Sequence, residues 1–289
     1  MALLAKDVVN ALIKDFESFY YNSAKFKIRK EFDSSSRLLA SCVGVAERKR
    51  IRFSKDFCDF EVKTTDDLFF VAIIVCHEIA HYLNSHSEHK DQESIDFTAF
   101  EIWADYFGAR IFISSITFGS KMQMLIKRFN SVIDQDKIIS SIGRAILDMY
   151  ESIYLPTTDK KYPSAIERVL IFNAGSTSFF YRLYGELTPQ FSTKFILTIL
   201  KESGLTNKAS EYHRSPDEEL KIQKKIIDMH KTLQGNDASI TKGLKPEYYP
   251  FLTTNYIQSP QETKDNREKL YKQISDLGFN AEEIMAGNR

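Results

Sequence analysis

An apolar run breaks into four histidines and two glutamates in VAIIVCHEIAHYLNSHSEH, residues 71–89, and within it His77, Glu78 and His81 form the pattern H-E-x-x-H. On a helix, positions i and i+4 share a face. Two imidazoles can therefore reach one ion, while the glutamate between them projects beside them toward a water on that ion. Zinc suits such a set. It takes a third protein ligand, keeps a fourth position open and lowers the pKa of water there to about 7, within range of a carboxylate base. Chance supplies roughly 0.01 such matches in a chain of this length and composition, so the spacing alone favours function only moderately.

The supporting acids are in EIWAD, where Glu101 and Asp105 stand four apart among Trp103, Ala104 and Phe107. Glu101 is the candidate third ligand. Asp105 is the candidate acceptor that orients a ligand histidine through its other ring nitrogen. Two acids on one helix face are usually just solvated, but these apolar neighbours argue against full exposure. The HExxHxxGxxH pattern is disfavoured, because it needs glycine at 84 and histidine at 87 where this chain has Asn84 and Ser87. His86 and His89 are rival third ligands only if the chain curls back after a helix end near Ser85. Cys76 projects about 100° around the helix from His77 and reads as a core thiol. The metal-free alternative is a buried helix that turns polar where it meets water.

The elements that must position these groups are legible from periodicity and caps. TTDD at residues 64–67 offers cap hydroxyls and first-turn carboxylates, and the apolar pattern behind it runs to about Ser85, which predicts a long buried helix. Phe97, Phe100, Trp103, Ala104 and Phe107 recur at helical intervals and predict a second long helix over about 91–115. An amphipathic helix is expected over about 2–20, and two short strands, 38–45 and 50–53, around a charged turn. Further helices are expected near 121–128, 134–154, 164–183, 189–202, 216–233 and 261–277. The fold class is mainly α with a small β-sheet (α+β). Polarity rises after Gly204, which divides the chain into residues 1–204, with the chemistry, and a helical, loop-rich C-terminal region, 205–289. There is no internal repeat and no low-complexity tract.

Composition sets the outer bounds. The chain has 289 residues, 43% of them hydrophobic, with 39 basic residues against 39 acidic ones, which gives no broad electrostatic footprint for nucleic acid. Its three cysteines, Cys42, Cys58 and Cys76, show no CxxC spacing, and the N-terminus has no signal-peptide cleavage site, so the expected location is cytoplasmic. The longest apolar run, Leu68 to Cys76, is far short of the roughly 20 residues that cross a bilayer. No membrane span is expected, and nothing in the sequence selects an oligomeric state.

HExxH followed by ExxAD resembles the gluzincin zinc metallopeptidases, particularly those of the HtpX and CAAX-prenyl-protease type and their small soluble relatives. The likeness extends over residues 38–116: a strand pair in CVGVAERKRIRFSKDF, an acidic helix start, the apolar run into HEIAHYLNSH, then EIWADYFGA. KYPSAIERV, residues 161–169, is similar to that family's downstream HP-x-x-x-x-R element, with Pro163 and Arg168 in matching places and Tyr162 where the family has histidine. In motif and size the chain also resembles phage-exclusion peptidases that cut a translation elongation factor.

The resemblance implies a zincin-like metallopeptidase core with additional C-terminal helices, and Zn²⁺ held by His77, His81 and Glu101. It implies Glu78 as general base, and Tyr162, Arg168 or His213 as the group that steadies the oxyanion. The implied partner is a protein or peptide substrate, paired in extended form with the strand near residues 40–45. Two other classes compete. One is a zinc-binding regulatory or partner-binding protein without turnover, against which the intact Glu78 argues. The other is a metal-free helical scaffold, indifferent to chelators.

Overall fold

The computed structural model describes residues 2–88, 97–130, 132, 134–157, 162–184, 189–234, 242–252 and 272. In chain order the elements are β1 (Leu3–Leu4), α1 (Ala5–Ser18), β2 (Lys30–Asp33), β3 (Ala40–Val43), β4 (Arg50–Ser54), α2 (Lys55–Asp59), β5 (Glu61–Val62), α3 (Thr65–Leu83), α4 (Phe97–Phe118), α5 (Ser120–Phe129), α6 (Gln135–Met149), α7 (Ala165–Tyr184), α8 (Pro189–Glu202), α9 (Thr206–Glu211), α10 (Pro216–Gln234) and α11 (Tyr249–Leu252). The molecule is mainly helical with a small sheet, as its periodicity predicts. The expected helix over 261–277, residue 272 apart, and the beginning of the one expected from residue 91 lie outside the described residues. No helix among the described residues is long and apolar enough to cross a membrane.

The hub is α3. Its start is fixed by a reciprocal cap: the Thr64 hydroxyl accepts from the Asp67 backbone N–H at 3.1 Å, and the Asp67 carboxylate accepts from the Thr64 and Lys63 N–H groups at 2.9 Å each. Such a box satisfies donors that the first helical turn leaves open. Beyond it the helix is buried on nearly all sides, with Leu68, Phe69, Val71, Ala72 and Val75 wholly inside the core. An all-round apolar helix must be enclosed, and here α1, α4 and α6 enclose it.

Helix α4 runs antiparallel to α3, as the contacts Phe69–Phe112, His77–Asp105 and His81–Glu101 show. The two backbones come close at Gly108, where a Cβ would sit 3.0 Å from the His77 Cα and 3.1 Å from its backbone nitrogen. The backbones can approach there because glycine has no side chain. Helix α7 lies along α4 in the same direction, through Asp105–Arg168, Phe112–Phe172 and Phe118–Phe179–Phe251 contacts.

The sheet order is β2-β4-β3. The expected pair, β3 and β4, is antiparallel, with Cys42 opposite Ile51. The third strand, β2, is parallel to β4 and was not visible in sequence, because KEFD is short and mostly charged. Strand β3 is an edge. The turn after it is tied to the segment following α3: the Ser87 hydroxyl donates to the Gly44 carbonyl at 2.7 Å, and the Lys49 ammonium donates to the Ser85 hydroxyl at 2.7 Å and lies 3.4 Å from Glu88.

Candidate metal centre

The antiparallel packing of α3 on α4 turns two sequence motifs into one cluster. His77 Nε2 and His81 Nε2 lie 3.0 Å apart, and the two Glu101 carboxylate oxygens lie 3.4 Å from His77 Nε2 and 3.5 Å from His81 Nε2. For ligand bonds of about 2.0–2.1 Å, the edge of a tetrahedron around zinc is about 3.3 Å, so the three groups are spaced as ligands of one ion. The His77 and Glu101 side chains each keep 14% of their surface open, and His81 keeps 8%, so the cluster is recessed but reaches solvent. Glu78 stands on the turn between the two histidines and is itself nearly buried.

Around the cluster the charges are unbalanced toward negative. Asp105 accepts from His77 Nδ1 at 2.9 Å and is gripped from its other side by Arg168, whose Nε and terminal N–H donate at 2.7 and 2.9 Å. Arg168 also reaches to 3.6 Å from Glu101. Two carboxylates against one guanidinium leave the site asking for one more positive charge. Burial by itself pulls the His77 imidazole down, but Asp105 and then Glu101 beside it outweigh that and lift it to about 10. Burial would raise both acids, yet His81 and His77 hold Glu101 well below the usual carboxylate range, and Arg168 and His77 hold Asp105 down. Among the described residues, His77, His81 and Glu101 form a group that could hold a metal ion.

The residues expected from the sequence are distributed as follows. His77, His81, Glu101 and Asp105 come together in one cluster. Arg168 joins them, with its guanidinium turned to Asp105 and Glu101 and its face against the Tyr154 ring at 4.2 Å. Tyr162 is exposed, its ring 5.9 Å from the same guanidinium. No described contact brings His213 to the cluster; its neighbour Arg214 pairs with Glu167 at 2.6 Å. The chain does curl back after α3, through Ser85 at φ 55° and a short 3-10 turn over His86–Glu88. His86 thereby reaches the outer nitrogen of His81, Nδ1, at 2.8 Å and stands behind that ligand. His89 lies outside the described residues.

Three participants were missed in the sequence. Tyr154 belongs to a π-helical turn, Tyr150–Tyr154, that widens the end of a helix expected to be regular; such turns often accompany functional sites. Burial first, and then Asp105, push its phenol above the ordinary range. Gly108 sets the α3–α4 approach, and its place one turn past Asp105 was a usable signal. His230 of α10 meets His86 at 3.2 Å and the Trp103 ring at 4.7 Å. It sits among Ile222, Ile226 and Met229 on the apolar face of α10, and a histidine in such a stripe is a signal of a buried partner. Burial lowers His230 to about 4, and burial with His81 and His230 nearby pushes His86 well below the ordinary histidine value.

The chain matches no family model, no curated protein and no solved structure.

Proposed function

We propose that this chain is a zinc-dependent endopeptidase with a gluzincin, zincin-like core, hydrolysing peptide bonds in a protein substrate. The observation that carries the reading is the convergence of His77 Nε2, His81 Nε2 and the Glu101 carboxylate at 3.0–3.5 Å, with Glu78 on the turn between the histidines. Those three side chains would hold the ion. Zinc bound there supplies a Lewis acid that polarises a carbonyl and acidifies water.

The chain's own groups do the rest. Glu78 takes the proton of the attacking water and returns it to the leaving amine. Asp105 fixes the ring of His77 by accepting from Nδ1, which makes Nε2 the nitrogen presented to the ion. Arg168 holds Asp105 ionised with two hydrogen bonds and so acts as a positioning residue. Tyr162, exposed beside Arg168, is the group in this reading that donates to the oxyanion. Among the described residues no strand pairs with the outer edge of β3, where an extended substrate backbone would add.

Elemental mass analysis of wild type, Glu101→Ala and Glu78→Gln tests this. About one zinc per wild-type chain, clear loss in Glu101→Ala, and retained zinc with peptide cleavage reduced at least about 100-fold in Glu78→Gln are expected. Retained zinc and undiminished cleavage in Glu78→Gln would remove the proposed base. Zinc in the wild type without cleavage of a proteome-derived peptide library would favour a zinc-binding regulatory protein.

A further inference from the structure

We infer that His86 and His230 are positioning residues that fix the tautomer of His81, so that the C-terminal helix α10 is a working part of the metal centre. The inference rests on the metal-site reading above.

Its basis is a line of ring nitrogens with one fixed end. His230 Nδ1 lies 2.7 Å from the carbonyl oxygen of Ile226. That oxygen has no proton to give, so Nδ1 is the donor. A neutral imidazole has one N–H, so His230 Nε2 carries a lone pair, and it faces His86 Nε2 at 3.2 Å. His86 must donate there, which leaves its Nδ1 as an acceptor 2.8 Å from His81 Nδ1. His81 therefore carries its proton on Nδ1. Its Nε2 is left with a lone pair, on the side where His77 Nε2 and Glu101 lie. One backbone carbonyl thus sets three rings in turn.

Packing keeps the line in place. His86 is fully buried and stacks on Phe100 with ring centres 4.2 Å apart, and His230 is fully buried against Trp103. Phe100 and Trp103 flank Glu101 and Ile102 on α4, so the helix that supplies the third ligand also supplies the walls of the relay. The bonds run from α3 through the turn after it to α10, joining residues 144 positions apart in the chain. Ligand histidines are commonly oriented by a carboxylate or a carbonyl on the far nitrogen. At His81 two further imidazoles stand between the ligand and the carbonyl.

The test uses full-length protein. In the metal-free wild type, nitrogen NMR of the imidazoles should show His81 protonated on Nδ1. His86→Phe preserves the stack on Phe100 but removes the acceptor; His81 should then populate both tautomers, and zinc affinity, measured by competition with a chromophoric chelator, should fall about 10- to 100-fold. His230→Phe should act in the same direction. His230→Gln restores an acceptor for His86 and should return both readouts to within about threefold of wild type. His81 protonated on Nε2 in the wild type would overturn the relay, as would an unchanged tautomer in His86→Phe, even with weakened zinc binding. A wild type that binds no zinc defeats the metal-site reading instead, and the tautomer of the metal-free protein still decides the relay.

Discussion

The two histidines of the cluster are backed in opposite ways. His77 rests on an ionised arm, Asp105 and Arg168, with a 2.9 Å bond to the carboxylate and two bonds from the guanidinium behind it. His81 rests on a neutral arm of two imidazoles that ends on a backbone carbonyl. Both arms are buried, and both leave Nε2 facing the same point. What differs is the cost of failure. An ionised arm that loses one member leaves an uncompensated charge in the interior, whereas a neutral arm leaves an unsatisfied dipole.

The sharpest way to break that contrast is to remove Asp105. Asp105→Ala leaves the buried Arg168 guanidinium without its main partner and should destabilise the metal-free protein by roughly 3–5 kcal/mol, measured by denaturant unfolding. His86→Phe, on the neutral arm, should cost clearly less in the same assay. Equal losses would erase the distinction between the arms.

Acid separates them further. His230 is depressed from 6.5 to about 4, so the stability tied to its neutral form is complete above about pH 6.5 and is lost as the pH falls to about 4, a total of up to about 3 kcal/mol. Asp105 is also depressed, so its contribution is present above the ordinary carboxylate pKa and fails only at lower pH. Unfolding curves between pH 7 and 4 should therefore slope downward in the wild type and less steeply in His230→Gln, where the depressed His86 keeps part of the slope. A slope unchanged in the variant would place the acid sensitivity elsewhere. A smaller effect is expected where α3 and α4 meet: Gly108→Ala sets a methyl against the His77 backbone at 3.0 Å, and such overpacking costs about 1–3 kcal/mol. Zinc affinity should fall with it; unchanged affinity would mean that α3 and α4 separate without moving the ligands.

The ionised arm was largely readable in the sequence and the neutral arm was not, for a physical reason. His77, His81, Glu101 and Asp105 lie in two helices at i, i+4 spacing, and helical geometry converts that spacing into a shared face without knowledge of the fold. His86 depends on a left-handed residue, Ser85, that is itself neither glycine nor asparagine. His230 depends on how a distant helix packs. The parallel strand β2 was hidden for a similar cause, since its partner β4 is fixed by the fold and not by a local turn. Arg168 was legible only through resemblance, and its bonds to Asp105 give it a role that KYPSAIERV alone does not state.

The ties between the β3–β4 turn and the segment after α3 have a mechanical side. Ser87 on the Gly44 carbonyl, with Lys49 on Ser85 and Glu88, makes the hairpin tip and the histidine-bearing turn a single stiff bracket. Strain applied along the outer edge of β3, as by a chain laid against it, would be borne by that bracket and so by the seat of His86. On the proposed reading, the surface that would grip a polypeptide and the footing of His81 are thus parts of the same lever.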